Sequence, residues 1–282
     1  MSRRLRNIFF WNAARLAFAS CIAVLAFLLL SILWQGFQAL TPEFLFSPAR
    51  DFGTSGGIIF QILGSLLLVI TAALLVLPIC VGTAIYRHSY MSHPRAKEAL
   101  DLVLYALNAI PSISFGLFGL IFFVNILGTG LSWFVGSLIL AMMMLPTVTL
   151  ASLAVMQSLP SRYRENAAAL GLSKGQIVRR VTLPQSASGI VTGLMIALAR
   201  AIGETAPIMF IATAFSGVTM PSSLYEPVAS LPTHILALAQ QSTNPQALTN
   251  AWGASLTLVA FVAMFSAAAF FTRRKFHILS QR

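Results

Sequence analysis

Long uncharged, apolar runs recur along this chain, and several exceed the roughly 20 helical residues that cross a hydrocarbon core about 30 Å thick. No other feature restricts the fold as much. A backbone in lipid must satisfy its N–H and C=O groups internally, which leaves only helices or closed barrels. The runs lack the two-residue alternation of barrel strands, so the expected fold is an all-α membrane protein. Six transmembrane helices are placed at about 14–34, 58–85, 101–127, 131–156, 188–214 and 250–271. Composition agrees: 9% of the 282 residues are charged, against roughly 25% in a soluble domain.

The net charge of +11 would suggest nucleic acid in a soluble protein, but here its distribution says otherwise. Of the 18 Lys and Arg residues, all but Arg50 and Arg200 fall in segments that share one side of the membrane. Arg50 is on the other side, and Arg200 is inside a span. The positive-inside rule then places both termini in the cytoplasm. No nucleic-acid partner is expected; the bilayer is the solvent. The expected division is 1–57 (N-terminal segment, first helix, outer loop), 58–271 (a five-helix core with a cytoplasmic loop at 157–187) and a tail at 272–282. Cys21 and Cys80 both sit in apolar runs, so no disulfide framework is expected. The run continues past Cys21 to Leu33, which reads as a retained signal-anchor and not as a cleaved leader.

Energy coupling is read from what the sequence lacks. None of Lys97, Lys174 and Lys275 lies in a GxxxxGK[ST] phosphate loop. The four histidines form no metal-binding spacing, and no nucleophile–base pair lies in the spans. No metal, cofactor or enzymatic activity is expected, and any ATP must be hydrolysed by a separate polypeptide.

Within the 157–187 loop, a short helix is expected over Ser161–Leu170 after Pro160, and Gly171 breaks it. Ser173 caps a second helix that runs through Val181, and Pro184 closes it before the fifth span. Ala167 permits close approach, and Glu165 can pair with a basic group on a partner. The residues Glu165-Asn166-Ala167-Ala168-Ala169-Leu170-Gly171, followed by Val181-Thr182-Leu183-Pro184, resemble the EAA motif of ABC importer permeases. That resemblance implies a docking element for an ATPase subunit, with Asn166 departing from the usual alanine. The alternative is an amphipathic helix on the membrane surface.

The fifth span holds Arg200 and Glu204, four residues apart and so on one helical face. Charges at this depth cost about 2.5–3.5 kcal/mol each on insertion scales. Arg200 is ~20 Å from the cytoplasmic start of the span, and Pro207 is expected to kink the helix at Gly203. Two readings stand. Arg200 guides an anion with its planar fork while Glu204 holds it, or the pair is a structural bridge.

The segment Arg200-Ala201-Ile202-Gly203-Glu204-Thr205-Ala206-Pro207 resembles the RAIGETAP signature of phosphate importer permeases, and more closely the PstA-type subunits than the similar PstC-type. Further matches are Gly56-Gly57-Ile58, Ala84-Ile85-Tyr86, Ile110-Pro111-Ser112, Phe115 to Gly119, and Met143-Met144-Leu145-Pro146-Thr147. His88 departs from a usual glutamate. The resemblance implies the type I ABC importer permease fold and inorganic phosphate as cargo. It also implies a PstC-like second permease, two copies of a cytoplasmic ATPase and an extracytoplasmic phosphate-binding protein. Arg200, Glu204, Thr205, Ser112 and Asn108 are the candidate pathway residues; Glu165, Ala167, Gly171, Leu183 and Pro184 are the coupling residues. Ser114, Thr147 and Thr149 are further polar groups able to line the route or bond within their helices. Alternatives are a permease for sulfate, molybdate or phosphonate, or a stand-alone secondary transporter. Leu231, Ile235 and Leu238, at helical spacing in the last outer loop, are expected under a binding protein or in the interface.

Overall fold

The computed structural model describes residues 3–214, 220–241 and 243–279. The basic residues Arg3, Arg4, Arg6, Arg273, Arg274, Lys275 and Arg282 lie outside those whose side chains are described.

Helix α1 (Arg3–Ala39) is followed by a short α2 (Pro42–Phe46) and a two-residue hairpin, β1 (Ala49–Arg50) and β2 (Ser55–Gly56). Ala49 pairs with Gly56 and Arg50 with Ser55, antiparallel. α3 (Ile59–Ile85) runs into a wide π turn, Tyr86–Tyr90, and then α4 (Pro94–Ala109) and α5 (Ser112–Gly119) with its π continuation Leu120–Ile126. α6 (Trp133–Ser158) precedes the small helices α7 (Ser161–Ala169) and α8 (Lys174–Ile177). α9 (Leu183–Ala201), α10 (Ala206–Ile211), α11 (Leu231–Gln240) and α12 (Pro245–Leu279) complete the chain.

Five of these stretches are long and apolar enough to cross a membrane, and six if the pair Pro94–Ala109 and Ser112–Ile126 counts as one. That pair is bent by 90°, so the uninterrupted span expected at 101–127 is corrected to a broken one. Pro111 is the cause. It forces Ile110 into extended backbone (ψ 128°) and offers no N–H to continue the ladder.

The expected fifth span is also corrected. α9 stops at Ala201, and the chain turns through Ile202–Thr205 before α10. Pro207 therefore lies in the first turn of a new helix, where its missing N–H costs nothing. Pro184 behaves oppositely to expectation. It does not close a helix but sits in the first turn of α9, which continues from α8 through the π turn Val178–Thr182.

The core is where α3, α6 and α9 meet. Leu68, Val69, Ala72, Val76, Leu140, Met144, Val148, Ala197, Leu198 and Ile202 are buried together. Burying a Leu or Val side chain contributes about 1.5–3 kcal/mol in water; in lipid, packing of small residues matters more. Gly189 and Gly193 of α9 accordingly face Val155 and Ala151 of α6 with no room for a side chain. α1 lies outside this core against α12, and its apolar residues from Phe10 to Phe37 are largely exposed.

The basic end of the bundle carries the Tyr86–Tyr90 turn, α4, α7 and α8. The opposite end holds the hairpin and α11. α11 does not lie on the surface. Leu231 and Leu238 are fully buried, and the Leu231 N–H donates to Ser65 Oγ of α3 at 2.8 Å. The helical spacing of Leu231, Ile235 and Leu238 thus marks an inward face packed within this chain.

Candidate functional site: a charged break in a membrane helix

The turn Ile202–Thr205 separates α9 from α10, and the charge pair straddles its start, with Arg200 before it and Glu204 within it. Arg200 is in the last turn of α9, where the carbonyl ends of the helix favour a cation. Its Nε lies 3.5 Å from Glu204 Oε1. The Arg200 side chain is 59% exposed and that of Glu204 15%. No hydrogen bond of either side chain is present among the described residues, so the two terminal guanidinium nitrogens are uncommitted.

Arg87 provides the contrast within the same chain. Its Nε and Nη2 both engage Asp101, at 3.2 and 2.7 Å, tying the π turn after α3 to α4. A structural Arg–carboxylate bridge saturates its fork in this way. Arg200 touches Glu204 with one edge only.

Glu204 stands between two clefts. One, shallow and half open, is lined by Leu140, Met143, Met144, Thr147, Ala197, Arg200, Ala201 and Glu204. The other, equally shallow and toward α11, includes Ser65, Leu68, Leu140, Ser230, Pro232 and Glu204 in its wall. Apolar walls with a few converging polar groups are the usual make-up of a small-ligand site.

Thr147 donates to Asn108 Oδ1 across 3.4 Å, which brings the end of α4 to the first cleft. Arg200, Glu204 and Asn108 are therefore brought together. Thr205 and Ser112 are not. The Thr205 hydroxyl turns back to the Gly203 carbonyl at 3.4 Å, and Ser112 opens α5 without lining either cleft. Thr149 is fully buried in the α6 core, and its hydroxyl has no partner.

Ser65 and Ser230 were not read from the sequence as site residues. The available signal was Gln61 and Ser65, one helical turn apart within an otherwise apolar run. Gly64 beside them is the point of closest approach, since a Cβ there would collide with the Ala229 carbonyl. Met143 and Met144 also border the cleft; methionine stripes in spans ordinarily mean packing.

At the basic end, α7 closes with a Schellman motif. The Leu172 and Gly171 N–H groups donate to the Ala167 and Ala168 carbonyls, with Gly171 at φ 80°. α8 opens with a capping box between Ser173 and Gln176. Ala167 is buried on the inner side of α7; Glu165 and Pro184 are exposed and Leu183 is partly buried. Leu170 projects from the tip, 82% exposed. Arg164 of α7 meets His88 Nε2 at 3.1 Å.

A family model described as "Binding-protein-dependent transport system inner membrane component" matches residues 79–281. This chain belongs to that family. It is an ABC importer permease subunit, a multi-pass protein of the inner membrane. Among similar proteins, "Phosphate transport system permease protein PstA" of Mycobacterium leprae (strain TN) is 31% identical over 94% of this chain and 89% of its own length. "Probable ABC transporter permease protein YqgI" of Bacillus subtilis (strain 168) is 29% identical over 89% of this chain and 91% of its own. A chain of a bacterial alginate ABC transporter superposes with a TM-score of 0.66 at 18% identity, covering 98% of this permease and 99% of that chain. A chain of the MetNI methionine ABC transporter gives 0.62 at 16% identity, covering 78% of this permease and 95% of its own. At such identities the likeness is one of fold.

Proposed function

We propose that this permease subunit passes inorganic phosphate into the cytoplasm, with Arg200 as the group that meets the anion. The observation that carries this reading is the unsaturated guanidinium of Arg200, aimed into an apolar-walled cleft at a break in a membrane helix. A fixed fork of N–H donors fits a tetrahedral oxyanion, and a charge kept at this depth in lipid is ordinarily functional. The phosphate names of several relatives support the cargo, whereas the alginate and methionine transporters share only the fold, and a shared fold does not select cargo.

In this reading both termini and the α7–α8 segment are cytoplasmic, and Leu170, Glu165 and Gly171 present a docking tip to a separate ATPase subunit. A PstC-type second permease covers the exposed side of Arg200, and a phosphate-binding protein delivers cargo from outside. Closure of the ATPase pair moves α7, and the Arg164–His88 contact passes that movement to α3.

The test is ATP-driven uptake of radiolabelled phosphate into vesicles containing the assembled importer. Absence of phosphate uptake by the native assembly would end the phosphate reading. Uptake unchanged by Arg200→Lys would end the assignment of Arg200.

A further inference from the structure

Of the seven acidic residues in the chain, Glu204 is the one at the break between α9 and α10, where on the phosphate reading an anion passes. It borders both clefts, and its carboxylate faces the route with a single contact, the 3.5 Å approach of Arg200 Nε. A carboxylate only accepts hydrogen bonds. Against a fully ionised oxyanion it repels and leaves two acceptors facing one another in an apolar cleft. Against an oxyanion that carries a proton it accepts a hydrogen bond from that O–H. The remaining walls of the first cleft are Leu140, Met143, Met144, Ala197 and Ala201, with Thr147 as its one hydroxyl, so they offer little that would discriminate between oxyanions.

We infer that Glu204 is a specificity-determining residue that admits hydrogen-bearing oxyanions and rejects those without a proton. The inference rests on the phosphate reading above and narrows it to a chemical class. Phosphate and arsenate carry an O–H at neutral pH; sulfate and molybdate do not. Arg200 supplies donors to any oxyanion, and Glu204 supplies the acceptor that only a protonated one can use. An unmatched charged hydrogen bond costs enough to separate the two classes by roughly tenfold or more.

The experiment measures equilibrium binding of radiolabelled phosphate to the purified importer assembly without its binding protein, which would otherwise impose its own selection. For the native assembly, arsenate is expected to displace phosphate at similar concentration, and sulfate and molybdate only at roughly tenfold higher concentration or more. Monofluorophosphate, a phosphate analogue with fluorine in place of the hydroxyl, is expected to compete as poorly as sulfate, and this arm needs no variant. In Glu204→Gln the amide donates to any oxyanion, so sulfate should approach phosphate in potency, while Glu204→Asp should keep the native preference. Monofluorophosphate competing as well as phosphate, or native selectivity persisting in Glu204→Gln, overturns the inference and leaves the phosphate reading intact. A native assembly that binds neither phosphate nor arsenate overturns both.

Discussion

Arg87 and Arg200 are both guanidiniums beside a carboxylate, and geometry separates their roles. Arg87 is held at two points and mostly hidden, at 14% side-chain exposure; Arg200 is held at one point and open. Lysine at position 200 would keep the charge but replace a fork with a point donor. Phosphate uptake by Arg200→Lys is expected to fall roughly tenfold or more, with assembly unchanged, measured in ATP-energised vesicles. His234, outside the spanning helices, makes a different residue-scale prediction. Its ring is packed over Gly53, its Nε2 has no partner, and burial holds its pKa down at about 4. Below pH 6.5 the unfolded state therefore binds the proton first, so its contribution to stability is complete above that pH. The contribution is lost as pH falls toward 4, by up to about 3 kcal/mol. Amide protection of α11 should drop from pH 7 to pH 5 relative to His234→Leu at the same pH, as read by hydrogen exchange.

Among elements, the most testable link is the one between α7 and the turn after α3. Arg164 donates to His88 across 3.1 Å, and Arg87 in the same turn is clamped to α4. Breaking the first contact should separate ATP hydrolysis from transport. His88→Ala and Arg164→Ala are each expected to lower phosphate moved per ATP hydrolysed by a few-fold while ATPase activity persists. The double variant should be no worse than either single one, as a shared contact requires. The sequence made most of the helices, the glycine-hinged pair of short helices α7 and α8 and the charge pair legible, because hydropathy, caps and charge within an apolar run are local signals. It did not reveal which prolines break a helix. Pro78 and Pro146 remain inside α3 and α6, Pro184 is taken up in the first turn of α9 after a π turn, and Pro111 and Pro207 mark breaks. The outcome depends on what packs around each ring, and that is tertiary information. The inward turn of α11 and the cleft residues Ser65 and Ser230 were hidden for the same reason, since Ser65 meets Leu231 across 166 positions of sequence.

At the scale of the whole molecule, the orientation argued from basic residues is open to direct measurement. A reporter that is active only in the cytoplasm should function when fused after residue 282 and fail when inserted at 243. The reverse result would invert the proposed direction of every loop. The exposed side of Arg200 has a consequence for the life of the subunit before assembly. A chain released into the bilayer alone presents a guanidinium, 59% uncovered, to its surroundings at mid-depth, a placement that costs at least about 2.5–3.5 kcal/mol. An orphaned copy is thus marked by this exposed charge as unfinished. In pulse–chase labelling of cells lacking the proposed second permease, the native chain should be cleared faster than an Arg200→Leu chain, so that the residue proposed to meet cargo would also tell membrane quality control which copies have found a partner.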